Sequence, residues 1–397
     1  RPGIISINIF KETHGLCRFM PVLHKSTKTV SVIMSDKYNI DTHKLMYHPD
    51  RVAEWLKTHN QWEEAKKIYP LYIEITPFGA CNHRCVFCSV DYLGYKNISQ
   101  CKETLLERLD EMSQLGVKAI MFAGEGEPAL WKPLPDILDF CTKIGIDTSL
   151  TTNMVPFNES NTVRFVRNCK WIKTSINAGT SKTYAKIHQA PEKDFQKVIN
   201  NFRLSIEIRN NSNAICTIGG QMLLLPENAH EGIELGRRLK DIGADYLVVK
   251  PYTQSLYGIS QKYKNIDYST YDKLEDEMSS LEDEHFKVII RKKAMDRYNN
   301  SERNYKTCCA TPFFWAYIMA DGSLYGCSAF LGNENFLYGN INENTFKEIW
   351  EGKKRRDSMR FIQDGLDLSE CRINCRMDEV NQYLWKLKNP DEHVNFI

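Results

Sequence analysis

The stretch Cys81-Asn82-His83-Arg84-Cys85-Val86-Phe87-Cys88 follows directly on a short alternating run, Leu71 to Thr76. Its three cysteines are spaced C-x3-C-x2-C. Thiolates this close in sequence can hold three irons of a cubane [4Fe-4S] cluster and leave the fourth iron without a local protein ligand. An open metal position is what a catalytic site needs for a small molecule. The competing reading is a structural zinc knuckle. Zinc sites usually close to four ligands built from two Cys or Cys/His pairs. No second pair lies nearby, and His83 falls inside the loop at no standard zinc spacing.

The rest of the chain is consistent with an intracellular iron–sulfur protein. It has 397 residues, 42% of them hydrophobic, and a formal charge of +2. That charge gives no broad field for nucleic acid, so none is expected as a partner. No apolar run approaches a membrane span and no signal peptide is visible, so no membrane partner and a cytoplasmic location are expected. Of the thirteen cysteines, eight cluster at 81–88 and 308–375, unlike the even sprinkling of a short secreted disulfide scaffold. The basic run Lys353-Lys354-Arg355-Arg356 reads as a solvated helix face.

From about 70 to 255 the pattern is strand, loop, helix, repeated. Strand-like runs fall at 71–76, 118–123, 147–151, 171–176, 215–225 and 245–250, with helical stretches between them. Such alternation predicts an α/β fold with a parallel sheet and right-handed crossovers. Residues 1–68 read as an N-terminal cap packed on the barrel, with a strand at Val30 to Met34 and a helix at Pro49 to Lys57 carrying a Val52/Leu56 stripe. Residues 69–255 form the barrel. Residues 256–306 are a charged, tyrosine-rich connector with a helix at Tyr271 to Leu281 and a strand at Phe286 to Ile290. Residues 307–397 form a small C-terminal domain.

The cysteine spacing, with Phe87 just before its last member, resembles the motif of the radical S-adenosylmethionine (radical SAM) superfamily. The resemblance implies a partial (β/α)6 TIM-like barrel with its chemistry at the C-terminal strand ends. It also implies that SAM occupies the open iron of the cluster held by Cys81, Cys85 and Cys88, and that one electron cleaves it to a 5'-deoxyadenosyl radical. Phe122-Ala123-Gly124-Glu125-Gly126-Glu127-Pro128 resembles the family's Gly-Gly-Glu-Pro stretch with one residue inserted. On this resemblance Gly124 and Gly126 let the backbone approach SAM, and Glu127, with Glu125 second, takes its ammonium. The resemblance makes Phe87, Asn153, Ser175 and Gln221 further SAM contacts. Capping is the plainer role for Asn153 and Ser175. His188 reads as a satisfied core or surface histidine. Lys250 and Tyr252, at the end of the last barrel strand, read as substrate contacts.

Beyond Cys308-Cys309, the runs Ala316 to Met319 and Ser323 to Tyr325 flank Asp321-Gly322, a hairpin signal. Cys327 ends the hairpin, a helix spans Phe346 to Gly352, and Cys371 and Cys375 follow. This order resembles the twitch or SPASM C-terminal domain of radical SAM enzymes. It implies one auxiliary [4Fe-4S] cluster on Cys309, Cys327, Cys371 and Cys375; a four-cysteine zinc site is the alternative.

The resemblance implies hydrogen abstraction from an unactivated C–H bond. The expected substrate is a small polyhydroxylated molecule, a sugar or cyclitol, possibly nucleotide-linked. Oxidation or dehydration is favoured over epimerisation, with a peptide- or protein-maturing enzyme as the other reading. Electrons would come from a donor such as flavodoxin or ferredoxin. In the oxidation reading Lys250 or Tyr252 removes the hydroxyl proton. An epimerase needs a thiol to return a hydrogen atom, and Cys101, Cys17 and Cys308 are the spare cysteines with access to the top; Cys141, Cys169 and Cys216 read as packing.

Overall fold

A computed structural model describes residues 37–40, 42–299 and 302–396. The expected strand at Val30 to Met34, and Cys17, lie outside them. The described residues from Tyr38 onward pack as one compact unit. The six expected barrel strands are β1 (Tyr72–Ile75), β2 (Ala119–Phe122), β3 (Asp147–Thr152), β4 (Cys169–Ser175), β5 (Thr217–Leu224) and β6 (Tyr246–Pro251). All neighbouring pairs among them are parallel. The connector adds β7 (Lys287–Ile290), parallel to β6. The C-terminal hairpin strands β8 (Trp315–Ile318) and β9 (Ser323–Tyr325), with β10 (Leu337–Asn340), complete one ten-stranded sheet in the order 10-9-8-1-2-3-4-5-6-7. The sheet is an open, partial barrel. β8 runs parallel to β1, Tyr72 opposite Trp315. The C-terminal region therefore continues the barrel sheet.

Strand alternation sorts side chains into two layers. Ile73, Ile75, Ile120, Phe122, Leu150, Ile172, Ile218, Leu247 and Val249 join the main core beneath the helices. The opposite face carries Glu74, Met121, Ser149, Thr151, Lys173, Ser175, Gln221 and Lys250, and lines the inside of the barrel. On that face Tyr246, Val248 and Ile289 form a separate apolar cluster with Tyr38 and Ile40. Gly219 makes room for it, since a Cβ there would stand 2.5 Å from the Tyr246 ring.

Pro49–Lys57 is helical as expected, but its buried residues are Val52 and Trp55, with Leu56 only partly covered. The segment packs in a second core with Phe313, Phe314 and Trp315 of the C-terminal region, so residues 45–71 cover that region rather than the barrel helices. The basic run 353–356 is not wholly a solvated face. Arg355 is completely buried, and donates to the carbonyls of Pro312 (3.0 and 2.7 Å) and Trp350 (2.7 Å). Its guanidinium lies 4.0 Å from the centre of the Trp350 ring. Burial pulls its pKa down to about 9.

Candidate active site

The cysteine loop leaves the C-terminal end of β1 and is fastened at three points. Glu127 N–H donates to the Ala80 carbonyl at 2.9 Å, and Arg84 and Val86 N–H donate to the carbonyls of His188 and Ile187. The helix Ser181–His188 thus ends against the loop. His188 is buried, with Nε2 3.0 Å from the Ile176 carbonyl and Nδ1 3.2 Å from Cys85 Sγ. Its ring stacks on Tyr184 at 4.3 Å. Burial, and then His83, holds its pKa down at about 3, so the ring is neutral. With Nε2–H donating to Ile176, Nδ1 is the acceptor that faces sulfur. His83, Cys85 and His188 bring one donor atom each within 4.8 Å of one another. This backing of the cysteine loop was not foreseen from sequence.

Cys81, Cys85 and Cys88 are unpaired thiols. Burial, then the Glu127 carboxylate, pushes Cys81 up to about 12; burial, then Cys88 and Cys81, raises Cys85 well above the usual thiol range. Cys88 is also raised by burial. Three half-buried thiols that repel one another as thiolates are costly without a cation and become stable ligands around one. The donor set fits the cubane cluster.

The Gly124–Glu127 segment acts as a packing device. A Cβ on Gly126 would stand 2.2 Å from the Ala80 carbonyl and 2.5 Å from that of Phe78, so the cysteine loop lies directly over this glycine. Gly124 has φ +127° and its missing Cβ is occupied by Thr76 Oγ1. Glu127 is buried and clips strand ends together, accepting from Ala129 N–H (3.0 Å), Thr152 Oγ1 (2.5 Å) and Asn153 N–H (2.7 Å). Burial raises its pKa to about 7. Glu125 points to the other side and accepts from Ala320 N–H at 3.1 Å, in the turn between β8 and β9; burial also raises it to about 7. Asn153 Nδ2 donates to Asn82 Oδ1 at 2.7 Å, joining the end of β3 to the cysteine loop. Phe87 is buried against His188, ring centres 5.2 Å apart. Ser175 and Gln221 face each other across the β4–β5 register.

The residues expected at the last barrel strand divide. Lys250 is on the inner face, and burial, then Lys173, Arg291 and Arg372, pulls its pKa well below the usual lysine range. Tyr252 is buried against Tyr263 in the main core, and its backbone N–H donates to Tyr268 Oη at 2.7 Å. Burial pushes its phenol up to about 12, which disfavours the phenolate a general base requires. Cys101 does not join this group. It is exposed at the start of the helix Lys102–Gln114, with Sγ 3.5 Å from Glu103 Oε2. Cys141, Cys169 and Cys216 are buried in the core beneath the helices.

In the C-terminal set Cys308 and Cys309 differ in their neighbours. Burial raises Cys327, Cys371 and Cys375, and Cys308 is among the charges that raise each of them further. Cys309 is not among those charges. Burial brings it to about 11, and its charged neighbours are Lys388 and Cys308. Cys308 is thus the electrostatic neighbour of Cys327, Cys371 and Cys375.

Residues 75–239 match the model of the radical SAM superfamily and residues 308–376 that of the iron–sulfur cluster-binding domain SPASM. The chain carries a radical SAM domain followed by a SPASM domain. Its cofactors are accordingly SAM and [4Fe-4S] clusters, one on the cysteine loop and an auxiliary one in the SPASM region. No curated protein matches the sequence. Among solved structures, SuiB of Streptococcus suis bound to S-adenosylmethionine superposes with a TM-score of 0.60 at 17% identity, over 87% of this chain and 79% of that one. SuiB bound to its precursor peptide SuiA gives 0.59 at 18% identity, over 80% and 71%. anSMEcpe with AdoMet and the Cp18Cys peptide gives 0.53 at 19% identity, over 79% and 88%. At these identities the likeness is one of fold. Among the described residues no helix is long and apolar enough to cross a membrane.

Proposed function

We propose that this enzyme abstracts a hydrogen atom from a small polyhydroxylated substrate, a sugar or cyclitol, and oxidises or dehydrates it. When bound, the cluster and SAM supply the 5'-deoxyadenosyl radical for that abstraction. The observation that carries the reading is the polar inner wall. Ser149, Thr151, Ser175, Gln221 and Lys250 line the strand faces that lead up to the cysteine loop, and such groups pair with hydroxyls better than with apolar side chains. Tyr252, whose phenol is pushed up by burial, is poorly suited to take the hydroxyl proton. Cys81, Cys85 and Cys88 would hold the SAM cluster, and Cys308, Cys327, Cys371 and Cys375 the auxiliary one. An external flavodoxin or ferredoxin would deliver the electron.

A peptide substrate is the second reading, favoured by the peptides bound in the SuiB and anSMEcpe structures. The test is anaerobic reconstitution followed by incubation with SAM, reductant and separate panels of sugars, cyclitols, their phosphorylated forms and short peptides. The expected result is 5'-deoxyadenosine and methionine together with a carbonyl or dehydrated polyol. A modified peptide with every polyol unchanged would replace the first reading by the second.

A further inference from the structure

The inner face of the barrel holds a group of cations around Lys173 and Lys250. Lys173 on β4 and Lys250 on β6 both project to this side, because their strand neighbours Ile172 and Val249 join the core on the other. On β5 between them, Gly219 is the register partner of Lys173 and Leu223 that of Lys250, with Gln221 midway on the same face. Arg291 follows β7 directly, its N–H bound to the Val249 carbonyl at 2.9 Å. Arg372 reaches in from the C-terminal region, beside Cys371, with one weak contact to Ser328 Oγ at 3.4 Å and a buried Nε that has no hydrogen-bond partner.

Among the described residues neither lysine has a hydrogen bond or an ion pair; Lys173 has only the Trp171 ring, 5.4 Å away. The carboxylates of the same interior are committed elsewhere. Glu74 is paired with Arg376 and accepts from Tyr72, Asp91 accepts from the N–H groups of Ile259 and Ser260, and Glu125 accepts from Ala320. Four cations share one face, two of them without a counter-ion. Buried charge of one sign is expensive unless something of the other sign binds there.

We propose that Lys173 and Lys250, helped by Arg291 and Arg372, bind a phosphate or diphosphate ester of the substrate at the inner wall. This rests on the polyol reading and narrows it to phosphorylated or nucleotide-linked polyols. A diphosphate fits the count of charges better than a single carboxylate, and its several oxygens can take lysine donors from two strands at once. The mutual repulsion of the cations agrees with this: burial, then Arg291, holds Lys173 at about 8, and an arriving phosphate would restore its charge.

The experiment titrates inorganic pyrophosphate, glucose 6-phosphate, glucose and penta-glutamate into the cluster-loaded enzyme by calorimetry, with and without saturating SAM. Pyrophosphate and glucose 6-phosphate should bind with strong salt dependence, glucose much more weakly, and SAM should not compete. Lys173→Met and Lys250→Met should each weaken pyrophosphate by about tenfold or more, the loss expected for a charge-assisted contact. Lys250→Arg should retain most of the binding, and unchanged iron content and melting temperature would show that the variants fold. Competition by SAM would assign the lysines to the cofactor's carboxylate and overturn the proposal. Pyrophosphate binding that is absent, or unaffected in both Met variants, would also overturn it, as would lysine-dependent binding of penta-glutamate alone. Lysine-dependent pyrophosphate binding without turnover of any polyol would uphold the phosphate site while removing the polyol reading.

Discussion

Cys308 and Cys309 differ by one position in the chain and by their company in space. Cys308 is buried with Cys327, Cys371 and Cys375 as charged neighbours, and Asn381 Nδ2 reaches its sulfur at 3.6 Å. Cys309 instead offers its N–H to Asn381 Oδ1 at 2.8 Å and its sulfur to the Thr307 carbonyl. Reconstituted wild-type enzyme should carry about eight irons. Cys308→Ala should fall to about four, while Cys309→Ala should keep the full complement; iron analysis with Mössbauer spectroscopy decides it. The reverse pattern would restore Cys309 as the ligand. Sequence could not make this choice, because one residue of register turns a side chain to the opposite side and only packing sets the register.

At the scale of elements, the cysteine loop depends on the turn after β2. The Gly124-Glu125-Gly126-Glu127 segment was recognisable in sequence as a site element, but its expected work was contact with SAM. In the structure its first task is steric. Gly126 has no room for a methyl group under the Phe78 and Ala80 carbonyls, and neither carbonyl is a flexible side-chain end that could give way. Gly126→Ala should therefore displace the loop. The expected outcome is loss of the SAM-cleaving cluster and of 5'-deoxyadenosine formation, with the four C-terminal irons retained, as read by iron content and activity of the same preparation. A variant with full iron and normal SAM cleavage would show that the loop has slack.

For the whole molecule, the connection between the two cluster regions is a shared sheet and a buried arginine. β1 is hydrogen-bonded to β2 on one side and β8 on the other, so the strand leading into the cysteine loop also abuts the SPASM hairpin. Arg355 ties the Pro312 lead-in to β8, the Trp350 carbonyl and, at 3.4 Å, the carbonyls of Ala65 and Lys66. Arg355→Met keeps much of the volume and leaves these carbonyls unpaired. It should destabilise the fold by about 2–4 kcal/mol, measured as a lower denaturant midpoint. A change within experimental error would mean that water replaces the guanidinium.

What the sequence determined by itself is local or periodic. The C-x3-C-x2-C spacing, the six apolar runs, the Asp321-Gly322 turn and the trailing cysteines are each set by a few neighbouring residues, and they were sufficient for the parallel barrel, the family and its cofactors. What only the tertiary structure decided depends on segments far apart in the chain. It placed β8 against β1 and turned Cys308 toward its partners. It buried Arg355 inside a run that reads as a charged surface, left Cys101 in solvent, and brought Lys173, Lys250, Arg291 and Arg372 to one wall. The physical reason is common to all of these. Burial and electrostatic company belong to a side chain's neighbours in space, and no window along the chain contains them.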